Sequence, residues 1–195
     1  MIPEVDGEAS YLVLDWYDKK KGVLLLRERL ADELTMYNDN KNEVYIGSTL
    51  EQFMENYYQE KLSPEIQSKV LDVNIEVCKS FSGPISKEFI LGKVFALSAF
   101  ECGYYTSEYW YEGTPIRYFS KSEYFAGIRN DELSSWWTRS ADSRLGAYVS
   151  DVLPGFCFYS EQYREFGARP AFCLSGSLKI IEDELDGQVV YRLVD

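Results

Sequence analysis

The residues of this chain that could do chemistry gather in four stretches. "YYTSEYWYEG" sets Tyr104, Tyr105, Tyr109, Trp110 and Tyr111 beside Glu108 and Glu112, and "YSEQYREFG" groups Tyr159, Glu161, Tyr163 and Arg164. Aromatic rings stack on the apolar faces of sugars or anchor protein interfaces, and carboxylates accept from hydroxyl donors. The two clusters form the expected ligand-binding surface: Tyr104, Tyr105, Glu108, Tyr109, Trp110 and Tyr111, joined by Tyr159, Glu161, Tyr163 and Arg164. For the first cluster the bland alternative, rings that merely cover a sheet, weighs as much.

The other two stretches are "SSWWTRS" and "FGARPAF", which embed Arg139 and Arg169 among apolar neighbours. A guanidinium there can grip a ligand carboxylate bidentately, pair with a carboxylate of the scaffold, or bond strand-end carbonyls. Both arginines, with Trp136 and Trp137, are read as structural. On a strand the two tryptophans point to opposite faces, so one belongs to the core and the other faces a loop or groove.

Glu108, Glu112, Asp142 and Glu161 could supply the two carboxylates of a glycosidase. No fingerprint joins any two of them, so no catalytic residue is expected and glycoside chemistry stays the alternative. Histidine is absent, which excludes histidine-based triads and histidine-ligated zinc. Cys78, Cys102, Cys157 and Cys173 form no C-x-x-C pair and read as buried thiols, with one disulfide as the alternative. Asn38, Asp39, Asn40 and Asn42 could offer oxygens to calcium, but the EF-hand glycine and glutamate are missing, so the loop reads as a turn. Phosphate-loop and dinucleotide motifs are missing too, and neither a metal nor a cofactor is expected.

The 195 residues suit one domain spanning 1–195. With 32 acidic against 20 basic residues, a net charge of −12 argues against nucleic acid as a partner. No apolar run approaches the ~20 residues of a membrane span, so no membrane insertion is expected. The start lacks the order of a signal peptide, while a longer extracellular, cell-surface or phage-encoded precursor stays open.

The elements that must position these residues follow from pattern. Tyr11 to Trp16 and Gly22 to Leu26 read as a hairpin around "DKKK". Ser48 with Glu51 forms a capping box ahead of Leu50, Phe53, Met54 and Tyr57 at helical spacing, and Ser63 with Pro64 starts a short second helix. Val73, Ile75 and Val77 alternate as a strand does, and Ser98 with Glu101 could cap a helical turn. Beyond Tyr104 only short strands are read, at 136–139, 147–149, 156–159 and 169–174, before a closing hairpin across "DELDGQ". Helices confined to the first half, with antiparallel connections throughout, give the class α+β.

"YLVLD…GVLLL", "STLEQFMENYY", "VFALSAFECGYY", "WWTRS", "AYVS" and "FGARPAFCL" together resemble a bacterial family of domains of unknown function common in gut Firmicutes, with W-W-L-R-S and G-V-R-P-A motifs. Leu12 stands where that family has tryptophan, and Thr138 where it has leucine. The family in turn resembles the C-type-lectin-like fold, shared with formylglycine-generating enzymes. That resemblance implies two helices packed on a twisted antiparallel sheet with long irregular loops. The lectin calcium motifs and the enzyme's close cysteine pair are missing, so the resemblance brings a scaffold without its chemistry. The expected function is a non-catalytic ligand-binding or interaction module for a glycan or protein surface, a purely structural role in a larger surface or phage assembly being a further alternative.

Overall fold

The computed structural model describes residues 1–18, 22–39, 44–80, 86–104, 111–120, 127–142, 146–150, 157–185 and 188–194. The chain opens with the hairpin β1 (Ile2–Glu4) and β2 (Gly7–Ala9), then β3 (Tyr11–Tyr17), β4 (Gly22–Arg27) and β5 (Leu34–Met36). Helix α1 (Thr49–Asn56) continues as a π-helical turn (Tyr57–Lys61), and α2 (Pro64–Lys69) follows. Next come the hairpin β6 (Val73–Ser80) and β7 (Ser86–Gly92), β8 (Val94–Phe95), and the hairpin β9 (Gly127–Arg129) and β10 (Glu132–Ser134). Strands β11 (Trp136–Asp142), β12 (Gly146–Ser150), β13 (Cys157–Glu161), β14 (Glu165–Gly167) and β15 (Ala171–Leu174) precede the closing hairpin β16 (Lys179–Leu185) and β17 (Gln188–Val194).

Among the described residues strand outweighs helix, 51% against 15%, so the class is mostly β and the expected α+β arrangement is overturned. Instead of two helices packed on one sheet in the C-type-lectin-like manner, there is one helical run of 13 residues among many small sheets. The cause is local. Leu62 and Ser63 are extended, as a residue before proline prefers, and Pro64 restarts a helix that ends after six residues. Fewer than two turns make no layer. At the start of α1, Ser48 Oγ accepts the Glu51 N–H at 3.0 Å, and the Glu51 carboxylate accepts from the Gly47 N–H.

Two larger sheets carry the core. One has the order β3-β4-β15-β8, wholly antiparallel, with Ala171 paired to Leu26 on one side and Phe95 on the other. The other has the order β13-β12-β11-β14-β5 and contains one parallel pairing, Trp136 with Gly167, so the expectation of antiparallel connections throughout is also corrected. The segments near Trp136 and Ala171 thus lie in different sheets. Strand β4 buries Leu24, Leu25 and Leu26 in succession, because the four-stranded sheet is covered on both faces. Leu50 and Met54 of α1 and Val73, Ile75 and Val77 of β6 join the same buried cluster. Trp136 and Trp137 are both completely buried, whereas the sequence placed one of them toward a loop. Among the described residues no helix is long and apolar enough to cross a membrane. None of the four cysteines is in a disulfide, and only Cys157 is partly exposed.

Candidate functional site

The charged centre of the molecule lies inside the core. Arg139, on β11, is fully buried with Glu101, which sits in the turn after β8; Nη1 lies 2.5 Å from Glu101 Oε2 and Nη2 lies 3.0 Å from Oε1. The same guanidinium donates to the carbonyls of Ala96 and Glu76, both at 3.1 Å. Glu101 also accepts from the Tyr17 hydroxyl at 2.5 Å and from the Ser98 N–H at 3.0 Å, while Ser98 Oγ accepts the Glu101 N–H at 2.9 Å. That reciprocal pair is the geometry of a capping box, formed here around a turn without a helix. Burial opposes the charge on Arg139, but Glu101, Tyr17 and Glu112 outweigh it and hold its pKa above the ordinary arginine value. Burial, then the Glu101 charge, push the Tyr17 phenol up.

A second carboxylate completes this network. Glu112, also buried, accepts from the Cys78 N–H at 2.7 Å and from Ser140 Oγ at 2.6 Å; its carbonyl accepts from Ser98 Oγ at 2.6 Å. Burial pushes its pKa above the usual carboxylate range, against the pull of Arg139 and of its two donors. Gly113, at φ +84°, is required beside it: a Cβ there would meet Glu101 Oε1 at 2.3 Å.

Arg169 is placed differently. Its Nε donates to the Arg27 carbonyl at 2.9 Å and Nη2 to the Glu28 carbonyl at 3.2 Å, and the guanidinium carbon stands 5.5 Å from the centre of the Trp136 ring. It therefore ties strand-end carbonyls while resting on an aromatic face. Nη1 meets no acceptor among the described residues. Trp137 donates from Nε1 to the Thr35 carbonyl at 2.8 Å, fastening β11 to β5 across β14.

The two aromatic clusters fare unequally. Tyr105, Glu108, Tyr109 and Trp110 lie outside the described residues, as do Asn40 and Asn42 of the polar loop. Tyr104 turns into the core, whereas Tyr111 is 37% exposed and packs on Phe100 with ring centres 4.5 Å apart. Tyr159, Glu161, Tyr163 and Arg164 are brought together where β13 ends at the edge of the five-stranded sheet. Tyr159 and Tyr163 are exposed, and the Arg164 Nε donates to Glu161 at 2.9 Å. Hydrogen bonds from Arg164 and then Tyr163 hold the Glu161 carboxyl below its usual range, and the bond to Glu161 raises the Tyr163 phenol. Of the four carboxylates considered for glycoside chemistry, Glu112 is sealed in the core and Glu161 is on the surface in an ion pair. Glu108 and the Asp142 side chain are outside the described residues.

Sequence reasoning missed a polar cleft of about 290 Å³ between the first hairpin and the helical run. On its floor Tyr57 donates to Glu4, which also accepts from Tyr11 outside the lining; Arg27 Nε lies 3.1 Å from the same carboxylate, and Arg27 Nη1 donates to the Leu30 carbonyl at 2.6 Å. Asp32, Glu33 and Glu60 line it, with Lys61 Nζ at 3.7 Å from Asp6 and 3.9 Å from Glu33. The floor draws on Glu4, Arg27 and Tyr57, which come from three separate elements, so no local motif announces it. For the buried network a signal did exist, the Ser98 and Glu101 spacing, but only the fold shows that the capping carboxylate also receives Arg139. Among the described residues no group of three or more metal-ligating side chains forms.

Fold and site together define a mostly-β chain built round a buried ion-pair network, with one cluster of exposed aromatic and charged residues at a sheet edge. The family model described as Domain of unknown function (DUF6273) matches residues 20–176, and the chain belongs to that family. No curated protein and no solved structure matches it. The family span begins after β3 and ends before β16, so the opening and closing hairpins stand outside it.

Proposed function

We propose that the chain is a non-catalytic recognition module whose partner is a glycan or a protein surface, engaged at the sheet edge that carries Tyr159, Glu161, Tyr163 and Arg164. The observation that carries this reading is the pairing of two exposed rings with an already oriented acid and base: Tyr159 is 42% and Tyr163 63% exposed around the Glu161–Arg164 pair. Rings of this kind supply rigid contact area at low entropic cost, and the pair offers both a donor and an acceptor to hydroxyl or amide groups. The burial of Glu112 removes that one acid from a paired-carboxylate site, which needs both acids at the substrate.

A glycan array in metal-free buffer, probed with the wild-type chain and with Tyr159→Ala/Tyr163→Ala, tests the reading. Wild-type binding lost in the double variant, with an unchanged melting temperature, supports it. Loss on replacing Phe53 and Glu60 instead would move the site to the polar cleft, and turnover of a bound glycan would establish the enzyme reading.

A further inference from the structure

Among the described residues two arginines are buried, Arg139 and Arg169, and they differ in counter-charge. Arg139 meets the Glu101 carboxylate. Arg169 is 3% exposed and forms no ion pair among the described residues. It lies where the chain passes from β14 to β15, and so from one large sheet to the other. The carbonyls of Ala168 and Pro170 on either side accept from the Ala31 N–H at 2.8 Å and the Arg27 N–H at 2.9 Å, which fixes its position. Nε and one N–H of Nη2 are spent side by side on the consecutive carbonyls of Arg27 and Glu28. One edge of the planar fork is thus occupied, and Nη1 at the other meets no acceptor among the described residues. Burial pushes the pKa of Arg169 below the ordinary arginine value, and Tyr118, Cys102, Glu28 and Tyr104 counter it in that order. Phenols and thiols carry no charge at neutral pH, and Glu28 is exposed. A positive charge and an unfilled donor therefore stand together in the core, at a cost in free energy unless an acceptor is supplied.

We propose that Arg169 anchors a binding site for a small monocarboxylate, which the Nη1 edge of the guanidinium receives. That edge matches a planar oxyanion with two acceptor atoms. One guanidinium neutralises one charge, so a carboxylate fits where a phosphate dianion would bring surplus charge into the core. Trp136, 5.5 Å from the guanidinium carbon, covers one face of the fork and keeps its plane fixed. A purely structural tie to the Arg27 and Glu28 carbonyls would need neither Nη1 nor a full charge. The site uses none of the sheet-edge residues, and neither reading depends on the other.

Thermal unfolding of the full chain, with sodium acetate replacing sodium chloride at constant ionic strength and neutral pH, tests this, and crystals grown in acetate locate the ion. Melting temperature should rise with acetate by mass action and stay flat with acetamide or phosphate. The net charge of −12 keeps anions from gathering on the surface, so the rise reports a local site. Arg169→Lys keeps the charge but lacks the fork, and should weaken the acetate Kd about tenfold or more. In the crystal, acetate should lie within hydrogen-bond distance of Nη1. Should Arg169→Lys fail to fold, the comparison of acetate with acetamide and the crystal decide on the wild-type chain. An equal rise with acetamide, an acetate shift unchanged in Arg169→Lys, or an ordered water alone at Nη1 in acetate-grown crystals would each overturn the proposal.

Discussion

Arg139 and Glu101 face each other through two hydrogen bonds, at 2.5 and 3.0 Å, with neither side chain exposed to solvent. They lie 38 residues apart in sequence and join β11 to the turn after β8. Removing one partner leaves the other charge buried and unpaired, which typically costs about 3–5 kcal/mol. Arg139→Ala and Glu101→Ala should each lower unfolding free energy by about that amount in urea melts. Replacing both with apolar residues of similar volume, Arg139→Met with Glu101→Leu, should cost less than the sum of the single changes. Strict additivity would show that the two side chains do not act as a pair.

Gly113 guards the same network from the backbone. A left-handed residue with a Cβ costs about 1–2 kcal/mol by itself, and here that Cβ would also displace the Glu101 carboxylate. Gly113→Ala should therefore destabilise more than a left-handed glycine replaced in open space, and its effect should shrink in a Glu101→Ala background. Equal effects in the two backgrounds would remove the contact from the explanation.

Glu112 gives the network a pH dependence. Burial raises its pKa above the ordinary 4.5, outweighing Arg139, Ser140 and the Cys78 N–H. The native state thus holds this proton more tightly than the unfolded chain, a contribution complete below the unfolded pKa and lost as pH rises through the native one. Relative to Glu112→Gln, wild type should lose stability as pH rises from 4.5 upward. Melting temperatures of both proteins across the acid to neutral range, at fixed ionic strength, give the comparison. A difference that stays flat would locate the proton elsewhere.

How far the sequence discloses this molecule depends on the range over which each signal acts. The capped helix at Ser48, the hairpin of β3 and β4 and the closing hairpin are set by neighbours, and their residues specify them. Alternation at Val73, Ile75 and Val77 likewise marks the buried face of β6. Sheet order is not local: nothing in "ARPAFCL" says that β15 inserts between β4 and β8. The parallel pairing of β11 with β14 is equally silent, whereas Ser63 and Pro64 do mark the short second helix; the two-helix layer is implied by the resemblance alone. At the sheet edge, Tyr159 to Arg164 are close in sequence, so their grouping is legible. Glu101 reads only as a cap for a local turn and Glu112 as one acid of an aromatic cluster, until the fold carries both under β11.

The recognition reading rests on the sheet-edge rings, and direct binding tests it best. The wild-type chain and Tyr159→Ala/Tyr163→Ala should be compared on one metal-free glycan array, with immobilised bacterial-surface proteins as a parallel set. The account predicts that wild type binds a defined subset of one of the two sets and that the double variant loses it without a change in melting temperature. Full binding by the double variant would contradict the account.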